Sequence, residues 1–369
     1  MLRAWQKEAI DWALRTDGHR LIQAPPGCGK SRVGYTIAAH WLERSAAHRV
    51  FWAAPSIALV EQAHQAAWQH LRTPAFVSRS LVRAPRAARL VVTTHQSAVR
   101  FLIETRPTDL LIFDEAHHAN QAAIANFSTC ARHAQCLGLS ASPWSPGCLR
   151  AFPIRWIYPL SRALHDGALL PPCLHEDLPT QPARRTLHFV ESVAAARRAA
   201  RELGALHFVQ GDPLSKLGPW LHGIVSDLFA CRRLCEGYDV PECARVVIHH
   251  QIRSPIWTYQ AVGRALRQSP GKTHGHAFGL TGHTQAALQL ALALADGHAP
   301  APTTTPEGEA HVTDEIPEDS NHQSQEPANV GDHLRPRRRP RDQAEEAQEA
   351  EGRGGRRQRE HAEGEAGTG

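Results

Sequence analysis

Eight residues near the start, Ala24-Pro25-Pro26-Gly27-Cys28-Gly29-Lys30-Ser31, have the types and spacing to hold a polyphosphate. Glycines let backbone N–H groups face phosphate oxygens, and a helix starting at the same point adds a positive dipole. In such a loop Lys30 reaches the β- and γ-phosphates, and the Ser31 hydroxyl ligates Mg2+. The strict form of this loop opens on glycine, where this chain has Ala24. A second constellation, Leu110-Leu111-Ile112-Phe113-Asp114-Glu115-Ala116-His117, is an apolar run ending in two adjacent carboxylates. At the carboxyl end of a buried strand, Asp114 is placed to hold Mg2+ through water. Glu115 is placed to orient and deprotonate an attacking water. Farther along, Gln260, Arg264 and Arg267 stand at i, i+4 and i+7, which puts them on one face of a helix.

These groups need strands and helices to position them. Short β-rich runs recur at Leu21–Ala24, Val50–Ala54, Leu90–Thr93, Leu110–Phe113 and Cys136–Leu139. A second series comes at Leu187–Val190, Ala205–Val209, Gly223–Val225, Arg245–Ile248 and His276–Leu280. Between them lie helix-like segments such as Ser31–Arg44, Ile57–Leu71, Ser192–Leu203 and Ile256–Arg267. Strands alternating with helices imply parallel sheets covered on both faces, so the fold class is α/β. The alternation happens twice, around a Pro-rich passage from Ser142 to Pro182. The expected organisation is a first domain over 1–150, a connecting segment over 151–185, a second domain over 186–298 and a tail over 299–369.

Composition separates the tail from the rest. Residues 301–369 hold 9 arginines, 16 acidic residues and no aromatic, a net charge of −7. Little there can be buried, so disorder is expected; the basic clusters Arg335–Arg341 and Arg353–Arg359 read first as part of a solvated tail, with a nucleic-acid tether or a protein contact as the alternative. Residues 1–300 then carry +12, a balance suited to phosphate backbones. No run of 18 apolar residues suggests a membrane span, and the start lacks the apolar core of a secretory signal. Eight cysteines stand without any C-x-x-C pair, which argues against a zinc or iron–sulfur site. Reduced thiols in a cytoplasmic protein are the expectation.

In this order the motifs resemble those of superfamily 2 helicases of the DEAH type, over residues 2–272. Leu2-Arg3-Ala4-Trp5-Gln6 is similar to the family's adenine-reading segment, with Gln6 as its glutamine. Pro55-Ser56 and the Thr93-Thr94 pair of Val91–Ser97 resemble nucleic-acid-contacting motifs. Ser140-Ala141-Ser142 stands where the family has a coupling turn, with Ser142 in place of threonine, and His117 closes the DEAH motif beside it. Glu236–Pro241, with Gly237 and Asp239, resembles the second domain's coupling motif at the nucleotide. Gln260–Arg267 resembles the arginine-finger helix. Its glutamine-first form points to the branch near type III restriction and prophage-type DNA helicases.

The resemblance implies two tandem RecA-like P-loop domains, ATP and Mg2+ as cofactors, and nucleic acid as partner, with DNA favoured over RNA. Gln260, Arg264 and Arg267 would then face the phosphates across the cleft between domains. Relatives carry a longer stretch where this chain has only residues 212–222, so a trimmed second domain is expected. The implied function is an ATP-dependent helicase or translocase. Two alternatives stand beside it: a nucleic-acid-stimulated ATPase that remodels complexes without unwinding, and an ATP-gated clamp.

Overall fold

The computed structural model describes residues 1–71, 75–78, 87–101, 108–118, 135–180, 185–209, 211–231, 240 and 242–298. The tail over 299–369, Gly237 and Asp239 lie outside the described residues.

Strands β1 (His19–Gln23), β2 (Arg49–Ala54), β3 (Ala75–Ser78), β4 (Leu90–Thr94), β5 (Asp109–Asp114), β6 (Gln135–Ser140) and β7 (Ile154–Ile157) form a first sheet. Their order is β3-β4-β2-β5-β6-β1-β7, with every pairing parallel. A second sheet holds β8 (Pro172–Leu174), β9 (Thr186–Phe189), β10 (Leu206–Phe208), β11 (Asp227–Ala230), β12 (Arg245–Ile248) and β13 (Gly275–Phe278). Its order is β10-β11-β9-β12-β13-β8, again parallel throughout. The fold is therefore the two-sheet α/β arrangement that the strand–helix alternation implies.

Burial explains which runs became strands. β5 is Asp-Leu-Leu-Ile-Phe-Asp, buried up to its last residue, as a central parallel strand must be with helices on both faces. At its start Asp109 lies directly across from Arg49 of β2. The fully buried Asp109 carboxylate accepts from Arg49 Nε at 3.0 Å and Nη2 at 2.6 Å. Asp109→Ala leaves the Arg49 guanidinium buried without that carboxylate. The expected loss is about 3–5 kcal/mol of stability, read as a lowered urea midpoint with unchanged slope.

The 151–185 stretch contributes a strand to each sheet. Ile154–Ile157 pairs with β1, and Pro172–Leu174 pairs with β13. The expected strand at Gly223–Val225 is not there; the strand is Asp227–Ala230. Ile224 and Val225 donate their amides to the Pro219 carbonyl in a turn behind Gly218–Leu221, and Ile224 is 77% exposed. β-Branched side chains made that turn look like a strand, whereas Leu228-Phe229-Ala230 is the stretch that buries its side chains. The helix read over Ile256–Arg267 runs from Pro255 to Gly263, with Arg264 as its cap and Arg267 beyond it.

The two halves share a core. Tyr259 and Leu266, with Ala291 and Ala295 of the helix Gly282–Ala295, join the cluster built around Ile22, Val33, Trp52 and Leu139. That last helix is also hydrogen-bonded to the first half. Gln23 Nε2 donates to the Leu294 carbonyl at 3.2 Å, and the Ser161 amide donates to Asp296 Oδ1 at 2.7 Å. No helix among the described residues is long and apolar enough to cross a membrane.

Candidate active site

Open parallel sheets gather ligands at the carboxyl ends of their strands. β1 and β5 flank β6, so the segments leaving their carboxyl ends meet at one rim. The register places Gln23 beside Ser140 and Asp114 beside Leu139. The Ala24 amide prolongs this pairing by donating to the Ser140 carbonyl at 3.2 Å. The chain then turns through Gly27 (φ +80°) and Gly29 (φ +91°), left-handed positions that favour glycine, before the helix Lys30–Arg44 begins. Gln6 braces the loop from outside. Its Nε2 donates to the Gly29 carbonyl at 3.2 Å and the Cys28 carbonyl at 3.4 Å, while its Oε1 accepts from the Arg3 amide at 2.9 Å. Next to it Trp5 stacks on Tyr158, with ring centroids 4.6 Å apart.

Lys30 is buried, and its Nζ donates to the Ala24 and Pro25 carbonyls at 3.1 and 3.3 Å. Ser31 Oγ donates to Asp114 Oδ2 at 3.1 Å. The serine and the carboxylate expected to share a metal ion are therefore in direct contact. Burial, and then the neighbouring Glu115 carboxylate, raise the Asp114 carboxyl above its ordinary range.

Glu115 takes φ +48°. For a residue with a Cβ that backbone costs on the order of 1–3 kcal/mol, and surrounding bonds must hold it. Its amide donates to Asp114 Oδ1 at 3.1 Å, and its carbonyl accepts from the His118 amide at 3.0 Å. Its Oε2 is buried, makes no hydrogen bond among the described residues and lies 3.7 Å from His117 Nδ1. Behind it, a line of polar contacts crosses to the second half. His117 Nδ1 lies 2.9 Å from Ser140 Oγ, which accepts from the Ser142 amide at 3.1 Å. Ser142 Oγ in turn accepts from Gln260 Nε2 at 3.2 Å. All four side chains are buried.

The helix carrying Gln260 presses on the phosphate loop. A Cβ built on Gly263 would stand 2.8 Å from Pro26 Cβ, and one on Gly27 would stand 2.7 Å from Arg267 Cγ. Arg267 thus lies over the loop, and Arg264 is buried. Gln260, through Ser142, and Arg267, over Gly27, reach the rim although the regular helix ends at Gly263. No spacing rule indicated the glycine–proline contact that brings them so close.

Pro55 and Ser56 come directly after β2, and Thr93 and Thr94 end β4, with Ala54 paired to Thr94. These segments share one rim. Ser56 is exposed and Pro55 and Thr94 are half-buried, whereas Thr93 is fully enclosed. Thr94 Oγ1 accepts from the Ser97 amide at 3.2 Å and donates to Ser97 Oγ at 3.1 Å. Residue types gave no reason to single out His95. Its Nε2 stands 2.9 Å from the Asp114 carbonyl, and burial pushes its pKa down to about 4, so the ring is neutral near pH 7.

The donors suit a magnesium-bound nucleoside triphosphate. The loop offers a lysine ammonium and two left-handed glycines, Ser31 and Asp114 stand where they would hold Mg2+, and Glu115 Oε2 is an acceptor without a donor among the described residues. No cluster of three or more metal-ligating side chains exists among the described residues.

Compared with known proteins, residues 1–145 match the family "Type III restriction enzyme, res subunit". Dicer-like protein 2 of Coccidioides immitis is 32% identical over 144 residues, 34% of this chain and 10% of that protein. Its counterpart in Emericella nidulans is 27% identical over 135 residues, 31% of this chain and 9% of that protein. The chain thus spans about a tenth of the length of these curated relatives. Among solved structures, S. cerevisiae Dbp5 bound to RNA and ADP BeF3 superposes with a TM-score of 0.58 at 14% identity, covering 80% of this chain and 88% of that one. The ATP-dependent type ISP restriction-modification enzyme LlaBIII bound to DNA gives 0.57 at 16% identity, over 75% and 27%. At such identities these likenesses show the fold, a pair of tandem RecA-like domains. Residues 1–145 are thus similar to the type III restriction subunits, and the chain has the tandem RecA-like fold that the order of its helicase-like motifs implies.

Proposed function

We propose that this protein is a DEAH-type ATP hydrolase that moves along or unwinds nucleic acid, with DNA as its substrate. The observation that carries the reading is the polar line from Glu115 through His117, Ser140 and Ser142 to Gln260. It joins the group suited to activating water to the half that supplies Arg264 and Arg267, so hydrolysis and the width of the cleft are linked. When bound, Mg2+ supplies charge neutralisation to the phosphates, with Ser31 and Asp114 as its protein contacts. Lys30 exchanges the loop carbonyls for phosphate oxygens, Gln6 keeps the loop in shape beside the base, and Glu115 Oε2 accepts the proton of the attacking water. The resemblance assigns Gly237 and Asp239 to the nucleotide as well. Pro55, Ser56, Thr93 and Thr94 form the strand-facing rim. DNA is favoured because the family match is to a restriction-enzyme subunit. A cytoplasmic setting goes with this reading, since no disulfide is found among the described residues.

The deciding experiment measures ATP turnover alone, with single-stranded DNA and with single-stranded RNA, and then strand displacement on a tailed duplex. DNA-stimulated turnover with displacement is the expected result. Stimulation by RNA alone overturns the substrate, and turnover indifferent to both overturns the motor. Binding is expected to be backbone-driven, given a net charge of +12 over residues 1–300. With about five phosphates contacted on a single strand, a fourfold rise in salt lowers affinity on the order of 10²-fold, whatever the base sequence. Fluorescence anisotropy across a salt series checks this slope.

A further inference from the structure

β4 pairs directly with β2 and ends on the rim assigned to the nucleic-acid strand, and the next residue is His95. Its ring reaches past the end of β2 to β5. There Nε2 stands 2.9 Å from the Asp114 carbonyl, and the ring lies against Phe113 with centroids 5.7 Å apart. A carbonyl only accepts, so Nε2 carries the hydrogen. The peptide held in this way joins Asp114 to Glu115, directly before the left-handed φ of +48°.

At that corner His95 Nε2–H donates to the Asp114 carbonyl, the Glu115 amide to Asp114 Oδ1 and the His118 amide to the Glu115 carbonyl, while Ser31 Oγ donates to Asp114 Oδ2. The second and third of these lie within residues 114–118. Ser31 reaches the Asp114 carboxylate, whereas His95 brings a side-chain donor from another element to the Asp114–Glu115 peptide itself, and its chain neighbour Thr94 caps the turn after β4. Removing that donor frees the Asp114–Glu115 peptide to rotate toward an ordinary backbone, which swings the Glu115 carboxylate away.

We propose that His95 is a positioning residue that pins the Asp114–Glu115 peptide and makes the aim of Glu115 depend on the β4 rim. This rests on Glu115 as the base and the rim as the strand contact. The test compares His95→Phe, which keeps a ring without a donor, with His95→Gln, whose amide can donate from a similar reach. Hydrogen–deuterium exchange over residues 110–118 of the full chain reads the pinning without any turnover. The expected result is at least roughly tenfold faster exchange in His95→Phe and near wild-type exchange in His95→Gln. Steady-state kinetics with saturating single-stranded DNA reads the consequence. In His95→Phe kcat falls at least roughly tenfold while KM for ATP and the Kd for DNA stay within about threefold, and His95→Gln recovers most of kcat.

Unchanged exchange in His95→Phe overturns the proposal. So does a kcat loss that His95→Gln shares, or one accompanied by an equal rise in KM and a lower melting temperature, since those mark a packing role. A wild-type protein that no nucleic acid stimulates defeats the motor reading instead, and the exchange arm then still decides the role of His95.

Discussion

Glu115→Gln is expected to lower ATP turnover by about 10²–10⁴-fold, the range that a lost general base commands. Glutamine keeps the size and the hydrogen-bonding reach but cannot take the proton of the attacking water. The left-handed corner and the hydrogen bonds described there are made by the backbone, by the Asp114 carboxylate and by His95, so the substitution leaves them in place. Nucleotide affinity should therefore hold, because Lys30, Ser31 and the loop amides carry it. Single-turnover hydrolysis together with equilibrium binding of a fluorescent ATP analogue separates the two quantities. Wild-type turnover in Glu115→Gln would remove Glu115 from the role of base.

Arg267→Ala should lower DNA-stimulated turnover on the order of 10³-fold, as the loss of an arginine finger does. A guanidinium that meets the phosphoryl group stabilises charge developing as the bond breaks, which appears in kcat. Arg267 already lies over Gly27, so its stem fills space above the phosphate loop. Truncation to alanine opens that space, and nucleotide affinity should change by no more than about 1.4 kcal/mol, roughly tenfold in Kd. Titration of nucleotide into both proteins, beside their stimulated rates, checks the pair of expectations. Unchanged stimulated turnover would show that the cleft closes without this side chain.

The phosphate loop and the acidic pair were legible because their chemistry is local. A strand, a glycine turn and a helix start are written consecutively from Leu21 to Arg44, and β5 carries its carboxylate at its own end. The spacing of Gln260, Arg264 and Arg267 was legible too, but the approach of their helix to the loop comes through Gly263 meeting Pro26 and Arg267 lying over Gly27, contacts between residues far apart in the chain. β7 escaped notice because Ile154-Arg155-Trp156-Ile157 is an edge strand, exposed or half-buried throughout, with no buried run to mark it. The turn at Gly223–Val225 misled for the opposite reason. It has strand-like residues, yet Gly223 at φ +73° turns the chain away from a sheet. His95 could not be singled out because a lone histidine after a strand says nothing until β5 is seen to end within its reach.

On the proposed motor reading, the helix Gly282–Ala295 would set where the two halves part. Its bonds to Gln23 and Ser161 lie on the β1 side of the first sheet, whereas the rim of Ser56 and Thr94 lies at β2 and β4. While those bonds hold, such an opening would be a rotation about them and not a separation. From β1 to β4 the sheet spans about four strand spacings of about 4.8 Å, a lever arm of roughly 19 Å. A swing of about 10° on that arm carries the far rim through an arc of roughly 3 Å, close to the advance of one nucleotide along a strand at about 3.4 Å.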